Sequence, residues 1–432
     1  MLGGFLHDGL RIRLDSRRRK VLWLGAAALV SLVYLGFALR SYVAAHYSEK
    51  PDLTSLQTAL WLDPGNAEYS DRLGRYYSLA QDPRAALNAY TTAIQQNPHR
   101  ARYWLELAAA YQILGDDDGQ RQALEQAIQA DPRTPEVAWE AANFHLVRGE
   151  TEAALREFRV VLQNDPYLPP AALERCWRIK PDVNAILRDL LPASPQAHLD
   201  FLNLLIAKKE TASAAKVWAR LAELHQPFEA RYMFDYVHYL IGEKDVEQAR
   251  LVWQQAAGLT GLSAYLPSSD NLIVNGDFSL DVLNGGFDWL YQKQPEVSLA
   301  LDPTDFHTGH RSLNIAFDGQ GIEDAGIQQL IPVQPNSSYD FSAYFKAKDM
   351  QGAGGPRFAI QDFYSQTTYF ASDELKDADF WKLTGGGFTT GPDTKLLALH
   401  VQRYPAGSPI RGQLWLDNIR LAQKQPPSGS QP

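Results

Sequence analysis

The residue types best suited to chemistry are thinly spread along this 432-residue chain. His307 and His310 lie three apart in a turn and could touch a metal, but no further ligand stands near them, and a metal site needs more than a pair. Asp116, Asp117 and Asp118 are a run of carboxylates between two helical stretches. Solvation accounts for such a run, whereas glycosidase chemistry needs two opposed carboxylates across a cleft. The single cysteine, Cys176, excludes an internal disulfide framework and a multi-cysteine metal site, and its Leu-Glu-Arg-Cys-Trp setting reads as buried packing. Gly352–Gly355 and Gly385–Gly387 are loop glycines with no phosphate-binding helix behind them, and no nucleophile elbow, Walker loop or His-Glu metal helix occurs. The sequence therefore predicts no catalysis, and attention moves to binding.

Composition agrees with a folded, multidomain chain, 45% hydrophobic and 21% charged. Net charge is −9, but it is divided unevenly: residues 1–50 hold eight Lys/Arg against three Asp/Glu, so they carry +5 and the rest −14. An acidic body offers no phosphate-binding patch, which argues against a nucleic-acid partner.

The positive charge belongs to one feature. Val21 to Leu39 is a run of 19 residues without a formal charge, roughly 28 Å long as a helix, which matches a bilayer core. Before it stand Arg11, Arg13, Arg17, Arg18, Arg19 and Lys20 against Asp15 alone; behind it only Arg40 and Lys50 are close. The positive-inside rule makes residues 1–20 a cytoplasmic basic tail and 21–39 a transmembrane signal anchor, single-pass in the inner (cytoplasmic) membrane with the bulk of the chain exported. A cleaved signal peptide is the rival reading, with Ala44 and Ala45 available to a peptidase. Its apolar core would be longer than usual. A buried soluble helix fits poorly with the cationic flank.

The elements after the anchor announce themselves by period. Pro64, Pro98, Pro132 and Pro166 follow one another at 34 residues, each preceded by Asp or Asn. Ala59, Ala93, Ala127 and Val161 repeat the spacing five residues earlier, and Leu56, Tyr90, Leu124 and Phe158 eight residues earlier. Small residues let paired helices approach, large ones fill the gap opposite, and a proline ends the second helix. Leu73, Gly74, Tyr77, Ala86, Tyr90, Ala93 and Pro98 fall in the order of the tetratricopeptide signature, which this stretch resembles closely. The pattern predicts an all-α solenoid over 51–260, with clear repeats at 51–166 and degenerate ones at 167–260, about five or six hairpins with an irregular middle. The resemblance implies a concave groove that holds a protein partner. Candidate groove residues are Tyr69, Arg72, Tyr76, Tyr103, Glu106, Asn143 and Arg148, polar or aromatic and off the signature positions.

Beyond Leu262 the period becomes two. In SYDFSAYFKAK, Tyr339, Phe341, Ala343, Phe345 and Ala347 point one way and Tyr344 and Lys346 the other; in KLLALHVQRY, Leu397, Leu399 and Val401 point in, with His400, Gln402 and Tyr404 out. This predicts an all-β sandwich over 265–423, followed by a disordered tail at 424–432. The ordered segments NLIVNGDFS, TGHRSLNI, GIQQLIPVQPNSSYDFSAYFKAK, DFWKLTGGGFTT and LWLDNIRL resemble a galactose-binding-like jelly roll of the carbohydrate-binding-module type. Shared structural positions include Asn275, Gly276, Ser312, Leu313, Tyr339 and Trp381.

That resemblance implies polysaccharide binding by aromatic rings stacked on sugar faces, with amides and carboxylates reading hydroxyls. The candidates are Trp289, Tyr291, Tyr344, Gln361, Asp362, Tyr364, Tyr369, His400, Gln402 and Tyr404. It also implies a structural calcium at Asp277 and Asp417, although Ser279 stands where the family usually has a glutamate, and no other cofactor. Together these readings describe a membrane-anchored, non-catalytic envelope scaffold, with a role in exopolysaccharide or surface-polymer assembly. Two alternatives remain: a pure protein-interaction scaffold with a structural sandwich, and a glycan-active enzyme whose site is unrecognised.

Overall fold

The computed structural model describes residues 17–424. The basic tail up to residue 16 and the tail from residue 425 lie outside the described residues. The chain divides into two compact units, Met1–Pro192 and Ala193–Pro432, so the division falls inside the helical stretch.

The first unit is helical. It contains α1 (Arg17–Ser48), α2 (Leu53–Leu62), α3 (Ala67–Leu79), α4 (Pro83–Gln96), α5 (Ala101–Leu114), α6 (Asp117–Ala130), α7 (Pro135–Val147), α8 (Thr151–Asn164), α9 (Pro169–Ile179) and a short α10 (Val183–Ala185) that continues as a π-helical turn, Ile186–Leu190. Helices α3 to α8 are three consecutive hairpins set by the proline period. Their ends are fixed locally: Asp82 accepts from the Ala85 amide with Pro83 just inside α4, and Asp116 accepts from Gly119 at the start of α6. The period also fixes the packing. Gly74 lies against the Tyr90 ring, where a Cβ would collide, and Ala86, Tyr90 and Ala93 are fully buried. The period's prolines do more than stop helices, since the Pro64 carbonyl accepts from Gln96 Nε2 (2.7 Å) and the Pro98 carbonyl from Trp104 Nε1 (2.9 Å). These two turns are thereby tied to their neighbours.

Helix α1 holds the whole apolar run and is long and apolar enough to cross a membrane, by length and composition. It does not stop at Leu39. Its last turns pack on α2 and α3, with Ala44 fully buried in a cluster with Ala59 and Tyr69, so the end of α1 serves as the first helix of the first hairpin.

The second unit begins with two further hairpins, α11 (Pro195–Ala207) with α12 (Thr211–Glu223), and α13 (Arg231–Gly242) with α14 (Val246–Thr260). The β-domain follows. Its strands are β1 (Leu290–Tyr291), β2 (Val297–Asp302), β3 (Ser312–Gly321), β4 (Asp324–Pro332), β5 (Ser338–Gln351), β6 (Gly355–Asp362), β7 (Thr368–Ala371), β8 (Lys382–Thr389), β9 (Leu396–Tyr404) and β10 (Pro409–Gln423). They form two antiparallel five-stranded sheets, β1-β4-β9-β6-β7 and β2-β3-β10-β5-β8. The core between them takes Phe341, Phe345, Phe358, Ile360, Leu397, Leu399 and Leu416 from alternate positions.

Helices α13 and α14 pack against the sandwich. The Trp253 ring meets Phe287 edge-on at 6.0 Å, its Nε1 donates to the Tyr265 carbonyl (3.1 Å), and the Tyr265 hydroxyl donates to the Asp281 carbonyl (2.8 Å). Gly285 and Gly286 let the loop before β1 close on Phe234 and Trp253, since a Cβ at either would enter a ring. A cavity of about 420 Å³ remains in this seam, lined by Trp253, Leu272, Val274, Leu330 and Pro332, with Arg250 and Lys395 among its polar residues.

Candidate functional site

The sheet β1-β4-β9-β6-β7 turns one face to the core and the other outward, and the outward face is where the binding candidates gather. Register sets three rows across it. Gln328 of β4 lies opposite His400 of β9, which lies opposite Ala359 of β6; Asp324, Gln402 and Arg357 form the next row; Leu330, Ala398 and Gln361 form the third. The rows differ in cover. Leu396 and Ala398 are buried although they point away from the sandwich core, and at the same end of the sheet Tyr364 donates its hydroxyl to the Ile241 carbonyl of α13 (2.7 Å). The rows of His400 and Gln402 are only partly covered.

At the open end a cavity of about 340 Å³ is lined by Tyr291, Gln292, Gln294, Asp324, Gln328 and His400, over Leu290 and Ile327. His400 Nδ1 sits 3.4 Å from Asp324 Oδ2, so the carboxylate orients the imidazole. Three amides, a carboxylate, an imidazole and a half-exposed tyrosine ring offer both donors and acceptors to hydroxyl groups. Beside this pocket the Arg357 guanidinium lies 4.8 Å over the Tyr404 ring and pairs with Glu374 Oε1 at 3.3 Å.

Of the ten sugar candidates, the structure brings Gln361, His400, Gln402 and Tyr404 onto this outward face, while Tyr291, opposite Ile327 in the register, lines the pocket from the sheet edge. It does not bring the others. Trp289 is fully buried, stacks on Phe278 at 5.2 Å and donates to the Asn275 carbonyl (3.1 Å), so it anchors the turn before β1. Asp362 is buried and accepts from the Tyr364 and Ser365 amides, shaping the turn after β6. Tyr364 is held by α13 and lies under Lys244 of the same hairpin, 5.5 Å from its ring. Tyr369 stacks on Phe388 of the other sheet and shares a hydrogen bond with Thr394 (2.7 Å). Tyr344 does point outward, as alternation requires, but from β5 in the opposite sheet, where His307 stacks on it at 3.6 Å. Alternation says which face is out; it does not say which sheet. Trp381 likewise leaves the core to lie near His307. Sequence reasoning missed Asp324, Gln328, Gln292 and Gln294. The alternation of β4 is obscured there by Gly326 and by the Gln328-Gln329 pair, of which Gln329 is buried and exchanges two hydrogen bonds with the Val274 backbone.

The calcium expectation can be tested on the donors around Asp417. Its carboxylate accepts from the His307 amide (2.6 Å), the Thr308 amide (2.8 Å), the Thr308 hydroxyl (3.2 Å) and the Asn418 amide. Four donors use the lone pairs that a cation would need. Asp277 is likewise turned onto the Ser279 amide and hydroxyl, and among the described residues no cluster of three or more His, Cys, Asp or Glu is arranged for a metal. These residues do not fit a calcium ion.

In the first unit the groove candidates also divide. Tyr69 and Tyr103 are buried packing residues, because a first helix must also fill the space beside its neighbouring hairpin. Arg72 donates to the Ser48 carbonyl (3.0 Å), tying α3 to the end of α1. Asn143 donates to the Trp139 carbonyl within α7. Tyr76 is half-buried beside Tyr77, and Glu106 faces the Tyr90 hydroxyl (3.4 Å) and Arg102 (3.9 Å). Arg148 is exposed and pairs with Asp117 at 2.5 Å. It borders a charged cluster in which Glu150 takes Arg121 Nη2 and His145 Nδ1, each at 2.6 Å. The hydrogen bond from Arg121 and then that from His145 hold the Glu150 carboxyl down to about 2. Cys176 is fully buried, and burial pushes its thiol up to about 12, which removes it from chemistry at neutral pH.

These two architectures match known families. The tetratricopeptide repeat model matches residues 72–133 and 117–169, and the carbohydrate binding domain model matches residues 270–407. The chain thus carries tetratricopeptide repeats and a carbohydrate-binding-module-type sandwich. Among solved structures, one described as "CBM4 structure and function" is 17% identical, over 35% of this chain and 99% of that one, with a TM-score of 0.27. The pilF protein of Pseudomonas aeruginosa is 17% identical over 50% of this chain and 92% of its own, TM-score 0.27. PilW, described as a type IV pilus biogenesis factor, is 18% identical over 44% and 92%, TM-score 0.26. No curated protein matches the sequence. The domains of this repeat protein are thus a protein-interaction array and a carbohydrate-binding domain, both non-catalytic kinds.

Proposed function

We propose that this tetratricopeptide-repeat protein is a membrane-anchored, non-catalytic scaffold of the cell envelope, whose groove recruits a protein partner and whose sandwich binds a polysaccharide, in exopolysaccharide or surface-polymer assembly. The observation that carries the glycan part is the half-open outer face of β4-β9-β6, where Tyr291, Asp324, Gln328 and His400 line one pocket and Gln402 lies beside it, opposite Asp324. Anchoring rests on the length of α1, on the cations before it and on Ala44. Cleavage at Ala44 or Ala45 would strip the first hairpin of its first helix, which favours an uncleaved anchor. The positive-inside rule then keeps the N-terminus in the cytoplasm, in the inner membrane, with the array and sandwich outside.

Affinity electrophoresis of the full chain through gels cast with acidic and neutral polysaccharides tests the reading. Retention on at least one polymer is expected, and the double variant H400A/Q402A, which removes two hydrogen-bonding groups at about 0.5–1.5 kcal/mol each, weakens it about tenfold. No retention on any polymer sinks the glycan reading. The same preparation releases no reducing ends from a labelled polysaccharide if the protein is non-catalytic.

A second reading has its own observation. Trp253, Phe234 and Tyr364 lock α13 and α14 onto the sandwich, which is what a sandwich serving only to cap the helices would need. It predicts no retention together with unchanged protein-partner capture.

A further inference from the structure

We propose that the turn closing the first hairpin, from Trp61 to Asn66, seats on the polar interface of the bilayer from which α1 emerges, so that the repeat array stands directly on the membrane. This rests on α1 being the membrane span. The level of each residue along α1 comes from its partners. Arg40, the first charge after the apolar run, donates through Nε to the Leu62 carbonyl at the end of α2, and one turn further on Ala44 packs with Ala59. Helix α2 therefore runs antiparallel to α1, back to the level of Arg40. At 1.5 Å per residue Trp61 lies within roughly 3 Å of that level, where hydrocarbon gives way to headgroups.

The repeat itself says that Trp61 is there for another reason than packing. Its counterparts, three residues before each proline of the period, are Gln95, Gln129 and Gln163, all exposed. The position faces solvent in all four hairpins of the period, and only the first of them places a tryptophan on it, 78% exposed. Tyr42, two residues past Arg40 on α1, is 71% exposed. Tryptophan and tyrosine collect at membrane interfaces, where an apolar ring meets hydrocarbon and its N–H or O–H stays wet. Asp63 and Asn66 keep the rest of the turn polar, as a headgroup layer requires. A lipid surface is therefore the partner this patch fits.

The test uses the full chain in phosphatidylcholine vesicles with single cysteines carrying a fluorescent label. Gly65→Cys is in the turn, where an added Cβ meets nothing, Val30→Cys is mid-span, and Val147→Cys is at the exposed far end of α7. Native Cys176 is buried and does not compete. With a nitroxide on the lipid headgroup, quenching at position 65 is expected to be about threefold that at 147, and Trp61→Gln, the residue of the other repeats, to reduce it about twofold. If 65 is quenched no more than 147 while an acyl-chain nitroxide quenches 30, the seating is wrong and the span stands. If 30 is not quenched either, the span reading fails and the proposal falls with it.

Discussion

The array of the first unit and the sandwich of the second both bury one face of every element, but they leave different things outside. In the array each hairpin is covered by the next copy of the same hairpin, so a residue's role follows from its place in the period; Gly74 and Tyr90 are partners because every clear repeat needs such a pair. In the sandwich the core face is equally legible, yet the outer face of β4-β9-β6 is divided between a helical neighbour and solvent. A repeat specifies its own surroundings. A sheet specifies only which side is dry, and the binding surface is whatever the neighbour leaves uncovered.

The sharpest way to break this comparison is to loosen that neighbour. Trp253→Ala removes a fully buried ring that contacts Phe287 and closes on Gly286, and large-to-small changes of this size cost about 3–5 kcal/mol. Calorimetry should show the second unit melting on the order of 10 °C lower, with helical and sheet signals falling together. A sandwich that melts unchanged while α13 and α14 unfold early would mean that the helices only rest on it.

A smaller effect, readable by pH, separates the two units. Asp288 is fully buried in the loop that closes on Trp253, and burial pushes its carboxyl up to about 7 despite the Leu283 amide it accepts at 2.7 Å. Between pH 4 and 7 the native state keeps a proton that the unfolded chain has lost, so stability of the second unit falls as pH rises through this window and levels off above it. The cost reaches on the order of 4 kcal/mol, and Asp288→Asn should flatten the slope while preserving the acceptor for Leu283. The array carries the opposite sign: Glu150, held down by Arg121 and His145, adds stability above about pH 4.5 that is lost as pH falls toward 2. Denaturant midpoints from pH 2 to 8 check both. An unchanged slope in Asp288→Asn removes the carboxyl from the account.

How much of this was legible depended on whether a residue's partner lies within its own periodic pattern. The prolines of the period gave the hairpins, and the alternation of KLLALHVQRY put His400 and Gln402 outward, where they are. Tyr69 and Tyr103 were misjudged because residues off the signature still pack between hairpins, and Trp289 because an aromatic in a glycine-rich loop can be folded under as readily as displayed. Asp324 and Gln328 were invisible for a different reason: β4 carries Gln329 inward, satisfied by the Val274 backbone, and one polar residue on the dry side erases the alternation that would have revealed its neighbours. The continuation of α1 into the first hairpin was hidden by the change from apolar to mixed residues at Arg40, which marks a change of composition and not the end of the helix.

The smallest predicted effect asks whether the seam opens as one piece. Tyr364 donates its hydroxyl to the carbonyl of Ile241 in the last turn of α13, which also accepts from the Lys244 amide just past the helix (3.0 Å). Tyr364→Phe keeps the ring beneath Lys244 and deletes only that bond, at about 0.5–1.5 kcal/mol. The second unit should melt roughly 2–4 °C lower. Paired with Trp253→Ala the loss should fall short of the sum, because a hairpin already released by the missing indole has no Ile241 carbonyl in place to receive the hydroxyl. Full additivity in the double variant would mean that the two contacts hold independent pieces, and that the cover over Leu396 and Ala398 can lift at one end while the other stays closed.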